Sequence, residues 1–265
     1  MSSYFGIFKM HFKGELQYRV KALSGVVTQI FWGLMYIYLY TAFMGGKVID
    51  GFSIQQMISY VWLGQAFLVI RFLDLPKNCA KEIESGNICY KFVRPINLYN
   101  QWYAEHLGYK LSATILRCLP LLLFATIMPK SIRIMAPPSV SAFMLFLLAL
   151  IIGALLTSAI SMIIVYLTFK TLSARGTASI CNTVCGILGG LYIPLVFMPQ
   201  SVQNVLNYLP FRFVLDLPAR IYIGNISTAD AIPFIGIAIV WLIIIVLLGK
   251  FFIGKAGKTA IIQGG

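Results

Sequence analysis

Carboxylates are scarce in this sequence: eight Asp and Glu stand against 21 Lys and Arg in 265 residues. None of the eight falls inside a long apolar run, which argues against an ion-coupled carrier, since such carriers keep acidic side chains in the membrane to hold the coupling ion. Charge of either sign is thin. With 59% hydrophobic and 11% charged residues, the chain has too little polar surface to cover a water-exposed globule. Histidine is limited to His11 and His106, which have no metal-ligand spacing, so the residue clusters of a membrane protease or transferase are missing. The two halves show no evident inverted repeat and no matched pair of broken helices, which argues against a secondary carrier. A phosphate loop is lacking too. Gly249, Gly254 and Lys255 imitate one, but Ala256 replaces the Ser or Thr and an apolar run precedes it in place of a strand.

What the sequence does have is length in its apolar runs. Ala22 to Met44, Ile54 to Ile70, Leu111 to Met128, Val140 to Phe169, Thr177 to Met198 and Ala231 to Phe252 each come close to or exceed the roughly 20 residues needed to cross a bilayer. A lipid-facing backbone must satisfy its own N–H and C=O groups, and the alternation of a barrel strand is absent. The expected fold is an all-α membrane protein, a single domain over residues 1–265 with six transmembrane helices.

The basic residues orient it. Fourteen Lys and Arg lie in the N-terminal segment, the loop from Arg71 to Lys110, the loop from Lys170 to Gly176 and the C-terminal tail, and Lys250 sits at the tail end of the last run, against five in the other loops. That bias places both termini in the cytoplasm of a cell whose plasma or inner membrane holds the chain. The net charge of +13 is then mainly a topology signal with some attraction to membrane lipid, and its scatter through short loops excludes nucleic-acid binding. None of the five cysteines falls on the outer side, so structural disulfides are not expected. Cys181 and Cys185 share a helix face but lack further ligands for a metal.

Within residues 1–21, Tyr4, Phe8, Phe12, Leu16 and Val20 recur every fourth position with Lys9, Lys13, Gln17 and Lys21 one step behind. The pattern predicts either a helix lying in the cytoplasmic interface, apolar side in the acyl boundary, or an extension of the first span. Gly153, Thr157 and Ser161 form a stripe of small residues, as do Ala178, Asn182, Gly186, Gly190 and Pro194; such stripes serve intramolecular packing, a subunit contact or a pathway wall. Arg117, the charge inside the third run, is an internal polar anchor or snorkels to the interface. Between Pro199 and Asp230, Val202, Val205, Leu206, Leu209 and Phe213 follow helical intervals, which fits a re-entrant segment over 199–230 or an ordinary outer helix.

The loop over 74–100 reads as a short amphipathic helix ended near Gly86, then a second segment stopped before Pro95. Glu82-Ile83-Glu84-Ser85-Gly86-Asn87-Ile88 followed by Val93-Arg94-Pro95 resembles the signature loop of the type-two ABC exporter permeases, in the poorly characterised branch reading Glu-Ile-x-Ser-Gly and then Leu-x-Arg-Pro; Val93 stands where Leu is usual. Leu191 to Pro199 running into Tyr208-Leu209-Pro210-Phe211 is similar to the outer end of the fifth span in the same family, where the chain folds partly back into the membrane. The resemblance implies a permease subunit that works with a second permease copy or a paralogue and with two separate ATP-binding ABC subunits, which would bind ATP and Mg. The chain itself would need no cofactor and would not be an enzyme. It also implies that Glu82, Glu84, Ser85, Gly86, Arg94 and Pro95 lie where the ATPase docks, with Gly86 giving the tight exit from the helix. Alternating access would then move a drug-like, peptide or lipid-like substrate outward. Gln65 and Asn182 are the candidate cavity-facing polar groups, and Ile193, Leu195 and Phe197 a candidate outer gate. An ATP-independent channel or lipid scramblase subunit, or a structural membrane subunit, are the rival classes.

Overall fold

The computed structural model describes residues 2–49, 51–71, 73–76, 79–88, 91 and 96–259, and these are helical with no sheet among them. In order they form α1 (Ser2–Glu15), α2 (Arg19–Met44), α3 (Ile54–Ala66), α4 (Leu68–Arg71), α5 (Cys79–Glu84), α6 (Leu98–Ile127), α7 (Val140–Thr171), α8 (Ala174–Leu188), α9 (Gln200–Leu206), α10 (Asp216–Tyr222) and α11 (Thr228–Thr259). Four of them, α2, α6, α7 and α11, are long and apolar enough to cross a membrane.

The other two apolar runs are interrupted, which their hydropathy does not reveal. The second run breaks at Phe67 into α3 and the single turn α4. Of the 13 residues in α3, the ten from Met57 to Ala66 are all buried, so this helix is surrounded by protein on every side. The fifth run ends as helix at Leu188; Gly190, at φ 73°, turns the chain, and Pro194 leads into a 3-10 turn at Leu195–Phe197. Helix starts follow local chemistry. Ser53 and Gln56 form a reciprocal capping box on α3, Asn97 caps α6 by accepting from the Asn100 amide at 3.1 Å, and Ser139 caps α7 by accepting from the Ala142 amide at 3.1 Å.

Helix α7 is the central post, packed against α11 on one side and α10 on another. Gly153 is where segment 199–230 presses on it: a Cβ there would run into the Val214 carbonyl oxygen. That segment is three short pieces, α9, a 3-10 turn at Arg212–Val214 and α10, and not the single helix its spacing suggests. Its buried part runs from Arg212 to Ile221, whereas Val202 and Val205 are exposed. Asp216, 1% exposed, is held there by Arg212 and Arg220, each 3.0 Å away, and by the Tyr60 hydroxyl, which donates to it at 2.8 Å. The buried carboxylate is thus paired and hydrogen-bonded, which is the condition for burying it, while the two guanidinium groups also donate to Asn207 and Asn225.

The N-terminal helix is separate from the first long helix. A turn at residues 16–18 separates α1 from α2, so it is not an extension of the first span. Its stripe of Tyr4, Phe8 and Phe12 is half-buried, and α1 packs on α6, where Gly108 meets the Phe8 backbone so closely that a Cβ would come within 2.6 Å of its carbonyl. The apolar face thus covers protein, and Phe5 and Met10 are left exposed.

Candidate functional site

A cavity of about 410 Å³ opens between α2, α3, α4 and the turn after α8. Its α2 wall is a ladder of rings spaced one helical turn apart. Trp32 and Tyr36 have centroids 5.9 Å apart, Tyr36 and Tyr40 stack at 5.8 Å, and the ladder continues to Phe197, 5.4 Å from Tyr40 and 5.0 Å from Phe43. Rings at positions i, i+4 and i+8 of a helix share a face, so one stripe of sequence makes one wall. Gly33 lets α3 approach α2, since a Cβ there would lie 2.9 Å from the Trp62 ring. The polar side chains lining the cavity include Thr28, Gln29, Gln65 and Arg71, with the Tyr60 hydroxyl turned away to Asp216.

Arg71 is half-buried and its side chain folds back along α3, its Nη1 3.5 Å from where a Cβ on Gly64 would stand. It donates to the Gly189 carbonyl at 3.2 Å, which joins the end of α4 to the end of α8.

Below this cavity in sequence order, the 74–100 loop is anchored to the bundle at three points. Asn182 of α8 accepts from the Leu73 amide at 2.8 Å and donates to the Leu73 carbonyl at 2.6 Å. The fully buried Lys110 ammonium donates to Asp74 at 2.9 Å and to the Val69 carbonyl at 3.1 Å, and His106 Nε2 lies 3.2 Å from the same Asp74 oxygen. Burial opposes ionisation of Asp74, but the Lys110 ammonium and the His106 hydrogen bond outweigh it and hold the carboxyl well below the usual carboxylate range. The third anchor is apolar. Cys79 and Ile83 of α5, with Ile88, enter a separate small core made by Tyr99 and Trp102 of α6, Met162 and Val165 of α7 and Ile253 of α11. Burial pushes the Cys79 thiol up, so this cysteine is a packing residue.

The exposed side of α5 carries the acids. Glu82 pairs with Lys91 at 2.6 Å, and Glu84 Oε1 accepts from the Ala174 amide, the first of α8, at 2.9 Å. Ser173 supplies no side-chain cap to α8, so Glu84 fills that role from 90 residues away. Ser85 is exposed, and Gly86 takes φ 75°, a left-handed exit from α5 that an L side chain resists. Arg94 and Pro95 lie outside the described residues.

Of the expected pathway residues, Gln65 lines the cavity and Phe197 closes its ring ladder. Asn182 instead turns its amide to the Leu73 backbone, Leu195 is buried against Gly190, and Ile193 is exposed. The small-residue stripe of α7 is internal: Gly153 receives the Val214 backbone, and Thr157 and Ser161 are fully buried. Arg117 is half-buried with its guanidinium over Gly25 of α2, 3.0 Å from where a Cβ would stand. Residues missed by sequence reasoning are Arg71, counted there as a loop charge, the ladder Trp32, Tyr36 and Tyr40, and the triad Arg212, Asp216 and Arg220. The ladder and the triad both have a visible four-residue spacing.

Residues 29–257 match the model of a family described as ABC-2 family transporter protein. A comparison with curated proteins finds no match.

Proposed function

The chain belongs to the ABC-2 family of transporter proteins, whose members are membrane components that partner with ABC ATP-binding subunits, and from that membership we propose that it is the permease of an ATP-driven exporter. In this proposal six spans cross the plasma or inner membrane, formed by α2, α3 with α4, α6, α7, α8 with the turn after it, and α11, with both termini in the cytoplasm. Two ATPase subunits bind ATP and Mg, and a second permease copy or paralogue faces the exposed sides of α2 and α8. Ile180, Val184 and Ile187 on α8 and Val27, Phe31 and Tyr38 on α2 are exposed apolar side chains on the faces that such a neighbour would cover in place of lipid.

The observation that carries the proposal is the link from Glu84 to Ala174. A displacement of α5 by a docked ATPase would pass to the small core through Ile83 and to the N-terminus of α8 through Glu84. The other end of α8 leads into Gly190 and Leu191 in the cavity wall and is tied to Arg71. Closure of the ATPase pair would thus reshape the cavity between an inward and an outward form. The lever is short and rigid, and its far end is the binding site. Gln65 faces the cargo, and Phe197 acts at the exit.

The double variant Glu82→Lys, Glu84→Lys reverses both charges of α5 and tests the proposal. In inside-out vesicles containing the assembled complex, ATP hydrolysis without ATP-driven uptake, or loss of the ATPase from the complex, is expected. Unchanged uptake with normal recovery of the complex would contradict the docking role.

A further inference from the structure

The polar content of the cavity is unbalanced. Arg71 brings a positive charge whose hydrogen-bond partner is a carbonyl, and among the described residues no carboxylate lies within 4.0 Å of it. Asp216, on the far side of Tyr60, has its oxygens taken by Arg212, Arg220 and the Tyr60 hydroxyl. Gln29, 3% exposed, lines the same cavity with both amide atoms unpaired. A guanidinium with no counter-charge in reach among the described residues and a buried amide without partners are costly in a low-dielectric wall, and a ligand that supplies an anionic acceptor lowers that cost.

The rest of the wall fixes the ligand's body. Trp32, Tyr36 and Tyr40 line one side with aromatic rings, which favour a flat, apolar group. We propose that this cavity binds an amphipathic organic anion, its aromatic or alicyclic body against the α2 ladder and its carboxylate, sulfonate or phosphate on the Arg71 guanidinium, with the Gln29 amide as a further donor. Taking this ligand as the transported cargo rests on the exporter proposal; the site itself does not. Arg71 also spans from the ligand to the Gly189 carbonyl, so occupancy of the site is felt at the end of α8. A cationic ligand of the same shape is rejected by the same guanidinium.

The test is equilibrium binding of three tritiated probes that share one ring body, 1-naphthalenesulfonate, 1-naphthalenemethanol and (1-naphthylmethyl)trimethylammonium, to the full chain in lipid nanodiscs. The sulfonate should bind about tenfold or more tighter than the neutral probe, and the ammonium weakest. Arg71→Gln should bring the sulfonate down to the neutral probe's affinity while leaving the neutral probe within about twofold, which also reports an intact cavity. Arg71→Lys should keep the preference for the anion. Equal affinities in the unsubstituted chain, tighter binding of the ammonium, an unchanged sulfonate affinity in Arg71→Gln, or no saturable binding would each overturn the proposal. ATP-driven flux of 1-naphthalenesulfonate in vesicles reads the exporter proposal separately: selective anion binding without flux leaves the site standing and removes its role in transport.

Discussion

Glu84→Ala cuts a side-chain hydrogen bond between α5 and the N-terminus of α8. The carboxylate accepts from the Ala174 amide at 2.9 Å, and Ser173 provides no substitute cap. Loss of a side-chain acceptor at a helix N-terminus costs about 0.5–2 kcal/mol. Loss of the negative charge beside the helix dipole costs roughly 0.3–1 kcal/mol and overlaps with it. A combined cost of about 1–2 kcal/mol raises the opening of the first turn of α8 about 5- to 30-fold. Hydrogen exchange measured by mass spectrometry on the full chain in nanodiscs reads this directly in peptides covering residues 171–180. Glu84→Gln keeps an acceptor and loses the charge, so its rise should stay within about fivefold. The first turn of α7, capped by Ser139, serves as the internal control and should not change. Unchanged exchange at α8 in Glu84→Ala would refute the link, as would a rise of equal size in both helices.

The remaining predictions concern the loop anchor and the helix contacts. Because the folded-state pKa of Asp74 is depressed, its contribution to stability is fully present above the ordinary carboxylate value of about 3.9 and is lost as pH falls from there through the depressed value. Thermal melts at pH 7 and pH 3 should therefore show a larger drop for the unsubstituted chain than for Asp74→Asn, and equal drops would contradict the pairing with Lys110. Gly153→Ala drives a methyl into the Val214 carbonyl oxygen and should cost about 1–3 kcal/mol, read as a lowered midpoint of thermal unfolding. Gly236→Ala, where a Cβ meets nothing within 4 Å, should be neutral or gain up to about 1 kcal/mol from helix propensity, and matching losses at the two glycines would remove the argument for close packing at Gly153.

Much of the fold was legible because membrane crossing is a demand on length and composition. The runs behind α2, α6, α7 and α11 appear as helices long enough to span. The breaks at Phe67 and Leu188 were hidden, since hydropathy records solvent and not backbone continuity, and α3 is equally apolar whether it faces lipid or protein. The stripe on α1 was visible as an apolar face. Its partner was not, because the close approach depends on Gly108, nearly a hundred residues away. At the cavity, Gln65 could be placed from its position, whereas Arg71 reads as a loop charge until the break before α4 is known and its side chain is seen to fold back on Gly64. Asn182 was a reasonable polar candidate in an apolar helix, and the backbone of Leu73 claims it. The acids of α5 were found through their motif. Their intramolecular partners, Lys91 and the Ala174 amide, follow from the fold, and the long separation to Ala174 leaves no local trace.

The central claim is that the exposed face of α5 is gripped by an ATP-hydrolysing partner. A photo-crosslinking amino acid in place of the exposed Ser85, in the full chain within the membranes of its own cell, tests that contact directly. A covalent adduct with an ATP-binding subunit, its yield changing when ATP is trapped unhydrolysed, is the predicted result. A chain that exports its substrate while position 85 yields no adduct with any ATP-binding subunit would contradict it.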